Sequence, residues 1–125
     1  EVYSVEMLDQ ASSDWEKNAK DNGIDNMKFV NSKVEDFLWK YIQQWNKAGL
    51  LIIDPPRSWM HPKALPNILK FNTDQIIYVS CNPATLARDL DFILKNSDYK
   101  IEKVKWMDMF PHTHHIETIV SLIKK

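Results

Sequence analysis

The sequence predicts an α/β fold in which a mostly parallel sheet carries helices on both faces. Apolar segments with the length of strands alternate along the chain with segments whose apolar residues recur at helical spacing. The segment 50–53 is a continuous apolar run, as expected of a strand that is covered on both faces. The chain has 125 residues, enough for one domain with its own core, and 44% of them are hydrophobic. In such a fold, ligands bind at the carboxyl ends of the strands.

Strands and helices are assigned in order from these patterns. The predicted strands are 2–5, 27–30, 50–53, 76–79, 101–109 and 116–123. A helix is predicted after each of the first four strands. The first is marked by Ala11, Trp15 and Ala19. The second is marked by Leu38, Tyr41, Ile42 and Trp45, and the third is the segment from about 62 to 71. The fourth begins at Pro83 and turns inward Leu86, Leu90, Ile93 and Leu94. Strand 101–109 is predicted to be half-exposed, with lysines opposite Val104 and Trp106.

Charge and cysteine content exclude several kinds of protein. With 16 basic and 17 acidic residues, the net charge of -1 is no evidence for nucleic-acid binding. The single cysteine excludes an internal disulfide and a cysteine-based metal cluster, and it favours a reducing compartment, by default the cytoplasm. No apolar stretch approaches the roughly 20 residues of a membrane span. The chain begins without methionine and within a predicted strand, which favours a fragment of a longer protein.

The cysteine lies where an apolar strand gives way to a helix. Asn82 is a good helix cap and Pro83 suits the first helical turn. We therefore expect the backbone amides and the positive end of the helix dipole to lie close to the Cys81 sulfur, where they favour a thiolate. This placement predicts a nucleophile. The alternative is a buried and inert cysteine.

Two carboxylates also lie at predicted strand ends. Glu6 ends the first strand, where nucleotide-binding sheets place an acid that accepts hydrogen bonds from ribose hydroxyls. Asp54 follows the strand 50–53 in the sequence Asp-Pro-Pro-Arg, whose two prolines stiffen the loop. The alternatives are a solvated loop carboxylate for Glu6 and an ordinary turn at Asp54. The chain has 2 glycines, so it contains no glycine-rich loop for a cofactor.

The segment 110–117 brings three histidines and Glu117 to the start of the last strand. The spacing of these histidines matches no helical metal motif, so we predict no metal site. Glu117 is a candidate general base, and the histidines are candidates to orient it or to contact phosphate. The alternative is a polar loop at the edge of the sheet.

Four segments together, 5–7, 54–57, 80–89 and 110–117, resemble the RNA uridine C5-methyltransferases and follow that family's order. The resemblance implies a Rossmann-like class I methyltransferase fold, S-adenosylmethionine as cofactor, and conversion of uridine in rRNA or tRNA to 5-methyluridine. By the same resemblance Cys81 is the nucleophile that adds to uracil C6, and Glu117 is the base that removes the C5 proton. Glu6 and Asp54 are then cofactor-binding residues.

The resemblance also implies that parts of the protein precede the first residue. Residues 1–125 would be the C-terminal part of a single methyltransferase catalytic domain, without the first strand, the glycine turn and the RNA-binding region. We expect the isolated chain to be inactive. The absent strand would lie between 2–5 and 50–53, so we expect these strands to pair directly, another chain to associate there, or the chain to be marginally stable. Trp59 stands where the family usually has glycine, which predicts a differently shaped loop beside Asp54.

Two other functions remain as alternatives. An amino-group methyltransferase would use the Asp-Pro-Pro loop to hold a nitrogen atom, but this function leaves Cys81 unexplained. A noncatalytic RNA-binding or structural fragment would keep the family's motifs without the cofactor turn.

Overall fold

A computed structural model of the protein describes residues 1–42, 48–55, 64–109, 111–113 and 115–125. The expectations for Trp45, Trp59, His114 and the start of the third helix near Pro62 lie outside the described residues. The chain divides into two compact units, residues 1–44 and 45–125.

The first unit contains two strands and two helices in alternation. Its elements are β1 (Val2–Glu6), α1 (Asp9–Asp21), β2 (Met27–Asn31) and α2 (Val34–Ile42). β1 and β2 are parallel, with Val2 opposite Met27 and Glu6 opposite Asn31. Just after α1, Gly23 has a φ of 66°, a left-handed conformation that glycine adopts without strain. The predicted stop of the first helix at this glycine is confirmed.

Few side chains of the first unit are buried. Its buried apolar residues are Ala19, Phe37 and Leu38. The Phe37 ring stacks on Tyr41 with centroids 4.2 Å apart, and the ring of Tyr3 on β1 lies 5.6 Å from that of Tyr41. These aromatic contacts hold α2 against β1. The apolar face predicted for the first helix is buried at Ala19, whereas Trp15 remains 43% exposed.

The described residues of the second unit form a four-stranded sheet and two helices. Its elements are β3 (Leu50–Ile53), α3 (Ala64–Lys70), β4 (Gln75–Ser80), α4 (Pro83–Asn96), β5 (Tyr99–Met107) and β6 (Glu117–Lys124). The strand order is β3-β4-β6-β5. β3 and β4 are parallel, and β6 is antiparallel to both of its neighbours. The α/β class is confirmed, but the sheet is mixed rather than mostly parallel, because β6 inserts between β4 and β5 in the opposite direction.

The core of the second unit lies on one face of its sheet. Ile76 and Tyr78 of β4 share this face with Val120 and Leu122 of β6, and all four are at most 1% exposed. Buried residues of α3 and α4 complete this core, among them Ile68, Leu86 and Ile93. Burial of each large apolar side chain contributes about 1.5–3 kcal/mol. This packing holds α4 against β4.

Two expectations about exposure are wrong. In β3, Leu50 is 49% and Ile52 is 64% exposed, so this strand is not covered on both faces. A continuous apolar run shows that both faces tolerate burial, but not that another element covers each of them. In β5, Val104 is 52% and Trp106 is 71% exposed, so the strand is open on both faces rather than half-exposed. β5 lies at the end of the sheet's strand order, and burial in this strand is confined to Tyr99 at its start.

The described strands form two sheets, with β1 paired to β2 and β3 paired to β4. No ladder joins β1 to β3 among the described residues, so the expected direct pairing of 2–5 with 50–53 is wrong there. Association with another chain and marginal stability remain predictions. None of the described helices has both the length and the apolar character needed to cross a membrane.

Candidate active site

Three of the predicted site residues lie at one end of the second sheet. Asp54 follows β3, Cys81 follows β4, and Glu117 begins β6. β3 and β4 run in the same direction, so their last residues lie at the same end of the sheet. Because β6 is antiparallel to β4, its first residue lies at that end too. Asp54 is exposed, whereas Cys81 and Glu117 are half-buried.

The register between β4 and β6 relates Cys81 to Glu117. The last paired residues at this end of the ladder are Ser80 and Thr118. Cys81 is the next residue after Ser80 at the end of β4, and Glu117 is the residue before Thr118 at the start of β6. Residues at facing positions within an antiparallel ladder have Cβ atoms about 4.5–5.5 Å apart, and Cys81 and Glu117 lie one step beyond the last such pair. The ladder therefore leads a thiol and a carboxylate to neighbouring positions where the pairing ends.

Hydrogen bonds brace the turn that contains Cys81. The Ser80 hydroxyl accepts a hydrogen bond from the Asn82 amide at 3.1 Å and donates one to the Asn82 carbonyl at 3.1 Å. These two bonds join the residues on either side of Cys81. The backbone that carries the thiol is therefore held from both sides.

The cap predicted for α4 is confirmed. The Asn82 side chain accepts hydrogen bonds from the Ala84 amide at 3.1 Å and the Thr85 amide at 3.4 Å. Pro83 has no amide hydrogen. The amides of Ala84 and Thr85 are therefore engaged in the helix's own cap.

A buried carboxylate links α4 to β4 behind this turn. Asp89 is 0% exposed, and its Oδ2 accepts a hydrogen bond from the Tyr78 hydroxyl at 2.6 Å. Its Oδ1 accepts hydrogen bonds from Arg88, at 3.0 Å from Nε and 2.7 Å from Nη2. Burial, reinforced by the hydrogen bond to Asp89, raises the pKa of Tyr78. Tyr78 therefore remains a protonated donor at neutral pH.

The sequence analysis assigns no role to Tyr78 or Asp89. The sequence nevertheless carries a signal that Asp89 is buried. Asp89 has helical spacing to Leu86 and Ile93 and so shares the buried face of α4. A charged residue on such a face requires partners in the core.

Glu6 lies at the carboxyl end of β1 in the first unit. Its Oε1 accepts a hydrogen bond from the Leu8 amide at 2.8 Å, and its backbone carbonyl accepts one from the Ser32 amide at 3.0 Å. Beside it, the Asn31 side chain donates a hydrogen bond to Asp9 at 2.6 Å. The Leu8 amide thus holds one oxygen of the Glu6 carboxylate, and the described part of the chain leaves Oε2 as an acceptor for a hydroxyl donor.

The loop before β6 is described in part. His112 is exposed and has a φ of 71°, in the left-handed region, and the His115 amide donates a hydrogen bond to the Thr113 hydroxyl at 3.2 Å. Among the residues that the structure describes, no three side chains of metal-binding type are grouped to hold a metal ion. The suggestion that histidines orient Glu117 remains a prediction.

Solved structures identify the class of this fold. The chain is similar to the Pyrococcus abyssi tRNA (uracil-54, C5)-methyltransferase in complex with S-adenosyl-L-homocysteine, with a TM-score of 0.81 and 30% identity over 97% of this chain and 28% of that one. It shares its fold with a putative S-adenosylmethionine-dependent methyltransferase from Streptococcus mutans, with a TM-score of 0.78 and 13% identity over 97% of this chain and 38% of that one. The fold is therefore the Rossmann-like fold of the S-adenosylmethionine-dependent methyltransferases.

Sequence comparison identifies the family. The model of the tRNA (Uracil-5-)-methyltransferase family matches residues 2–125, and the chain belongs to this family. An uncharacterized RNA methyltransferase from Bacillus cereus is 40% identical over 125 residues, which cover 100% of this chain and 27% of the relative. Another from Clostridium tetani is 44% identical over 124 residues, which cover 99% of this chain and 26% of the relative. The chain thus spans about a quarter of the length of these relatives. The resemblance stated from the four segments is confirmed.

Proposed function

We propose that the protein is an S-adenosylmethionine-dependent RNA methyltransferase that methylates C5 of uridine in tRNA or rRNA through a covalent bond to Cys81. Membership of the family supports the reaction class. The observation that carries the proposal is the register of β4 and β6, in which Cys81 and Glu117 are the next residues outward from one pair. We further propose that the protein acts in the cytoplasm, because its single cysteine suits a reducing compartment.

The chemistry needs both a nucleophile and a base. Uracil C5 is too weak a nucleophile to take a methyl group unaided. The Cys81 thiolate adds to C6, the C5–C6 double bond breaks, and its electron pair forms an enolate that makes C5 nucleophilic. After C5 is methylated, the Glu117 carboxylate removes the C5 proton. The electron pair of that C–H bond re-forms the double bond and expels the Cys81 thiolate.

The proposed cofactor suits the carboxylates at the strand ends. When bound, S-adenosylmethionine supplies an electrophilic methyl group on a sulfonium centre. Glu6 offers Oε2 while its Oε1 is held by the Leu8 amide, which suits a ribose hydroxyl donor. Asp54 offers an exposed carboxylate at the end of β3, which suits a hydroxyl or amine donor. We propose that these two residues hold the cofactor.

The substrate uridine must expose the face of its ring. Cys81 and Glu117 are half-buried, so a stacked and paired base does not bring C6 to the sulfur. We propose that the target uridine lies in a loop or is flipped out of its stack before reaction.

The test is covalent trapping by RNA that contains 5-fluorouridine. The complete protein is incubated with S-adenosylmethionine and fluorinated tRNA or rRNA, and intact masses are measured. Fluorine at C5 cannot leave as a proton, so a methylated protein–RNA adduct should accumulate. Cys81→Ser should abolish it. If wild-type protein binds the cofactor but traps no RNA, uridine C5 is not the target, and the amino-group methyltransferase takes its place.

A further inference from the structure

We propose that Tyr78 and Asp89 are positioning residues that set the place of Cys81 by fixing α4 to β4. Neither residue is proposed to touch the substrate. The consequence for catalysis rests on the proposed function, because it assumes that Cys81 is the attacking atom. The structural part of the proposal concerns the reactivity of Cys81 and is tested separately below.

The hydrogen bond between Tyr78 and Asp89 closes a loop around the thiol. Tyr78 lies on β4 and Asp89 lies on α4, 11 residues apart. Between them stands the short connection that contains Cys81 and carries the cap of α4. The bond of 2.6 Å ties the helix directly to the strand. A change in the distance or rotation of α4 relative to β4 must therefore be absorbed at Cys81.

The chemistry of this link distinguishes it from ordinary core packing. Leu86 and Ile93 already hold the buried face of α4 through apolar contacts, 4% and 0% exposed. A buried carboxylate adds a desolvation cost that apolar side chains avoid. Asp89 offsets this cost with hydrogen bonds from Tyr78 and Arg88, which are directional and charge-assisted. Such bonds define one distance and one rotation of the helix, whereas apolar contacts permit sliding.

The same sheet offers a matched control at its other end. Tyr99 is 2% exposed, and its hydroxyl lies 3.1 Å from the Thr73 hydroxyl and also donates to the Thr73 carbonyl. Tyr99 is paired with Lys124, whereas Glu117 is paired with Met107 at the opposite end of the β5–β6 ladder. Tyr99→Phe therefore removes an equivalent buried hydroxyl at the end of the sheet opposite the Cys81 turn.

The experiment compares Tyr78→Phe with Tyr99→Phe in the complete protein. The rate of adduct formation with 5-fluorouridine RNA is measured at saturating S-adenosylmethionine over a range of RNA concentrations. Tyr78→Phe should lower the maximal rate about tenfold, because a misplaced nucleophile misses its attack geometry. The RNA concentration at half-maximal rate should stay within about twofold, because neither residue binds RNA. Tyr99→Phe should keep the wild-type rate. If Tyr78→Phe does not fold, Asp89→Asn replaces it, since an amide oxygen is a weaker acceptor than a carboxylate.

Equal slowing by Tyr78→Phe and Tyr99→Phe, or slowing by neither, overturns the positioning role. If wild-type protein forms no adduct, the proposed function fails, and alkylation of Cys81 by iodoacetamide decides the positioning role alone. The alkylated site is then quantified by peptide mass. Alkylation changed more than about threefold in either direction in Tyr78→Phe but unchanged in Tyr99→Phe supports the role, because a displaced turn alters the access of the reagent to the thiol. Equal alkylation rates overturn it.

Discussion

The two ends of the second sheet each bury a tyrosine, and the two tyrosines differ in their partners. Tyr99 bonds to the neutral hydroxyl and carbonyl of Thr73, whereas Tyr78 bonds to the carboxylate of Asp89. A neutral partner suffices to satisfy a buried hydroxyl. The charged partner occurs at the end that also holds Cys81 and Glu117. The sheet thus bears the greater desolvation cost of a buried charge at the end that carries the candidate site, and a neutral pair suffices at the other end.

The sharpest contrast between the two ends should appear in turnover. We expect Glu117→Gln to lower turnover by about 10²–10⁴-fold, because a neutral amide cannot remove the C5 proton. The covalent intermediate should then accumulate with ordinary RNA, which intact-mass analysis detects. The control is Glu102→Gln on β5, whose carboxylate accepts a hydrogen bond from Ser121. Near-normal turnover in Glu117→Gln would remove this residue from the mechanism.

A smaller effect should separate two aspartates of the same helix. Asp89→Ala removes the acceptor of the buried Tyr78 hydroxyl, and we expect a loss of about 1–3 kcal/mol in the free energy of unfolding. Asp91→Ala removes an exposed ion pair to Lys95, worth about 0.3–0.5 kcal/mol. Urea unfolding of the complete protein, with hydrogen exchange of the α4 amides as the probe, measures the loss in each variant. Similar losses in the two variants would show that Asp89 is not a structural link.

The smallest effect concerns alkaline pH. Burial and the bond to Asp89 raise the pKa of Tyr78 above the ordinary tyrosine value of 10.0. The folded state therefore binds this proton more tightly than the unfolded state, so the contribution is complete below pH 10.0 and is lost as the pH rises above it. Tyr78→Phe should flatten this decline in the melting temperature. An unchanged slope would show that Tyr78 does not link stability to pH.

The order of elements could be predicted because each carries a local signal. Asn82 caps α4, Gly23 follows the end of α1, and apolar runs mark the strands. Exposure could not be predicted in the same way. The apolar character of Leu50 and Ile52 shows what a strand tolerates, whereas coverage depends on elements distant in sequence.

The site could be predicted in its parts but not in its arrangement. Asp54 and Cys81 follow visible strand ends, so their position at one end of the sheet could be anticipated. The register that relates Cys81 to Glu117 depends on the insertion of β6 between β4 and β5, which no local pattern announces. Asp89 was missed because a carboxylate on a helix is usually solvated.

The insertion of β6 also constrains the order in which this sheet can be made. β4 and β5 leave the ribosome first, yet they are separated in the sheet by a strand synthesised after both of them. Until β6 emerges, one edge of β4 is open to foreign strands, and the ladder that leads to Cys81 does not exist. The pairing is non-local, so it is slow to form. A nascent chain of this protein thus contains Cys81 before Glu117, and the register that relates the two residues forms only after β6 has been synthesised.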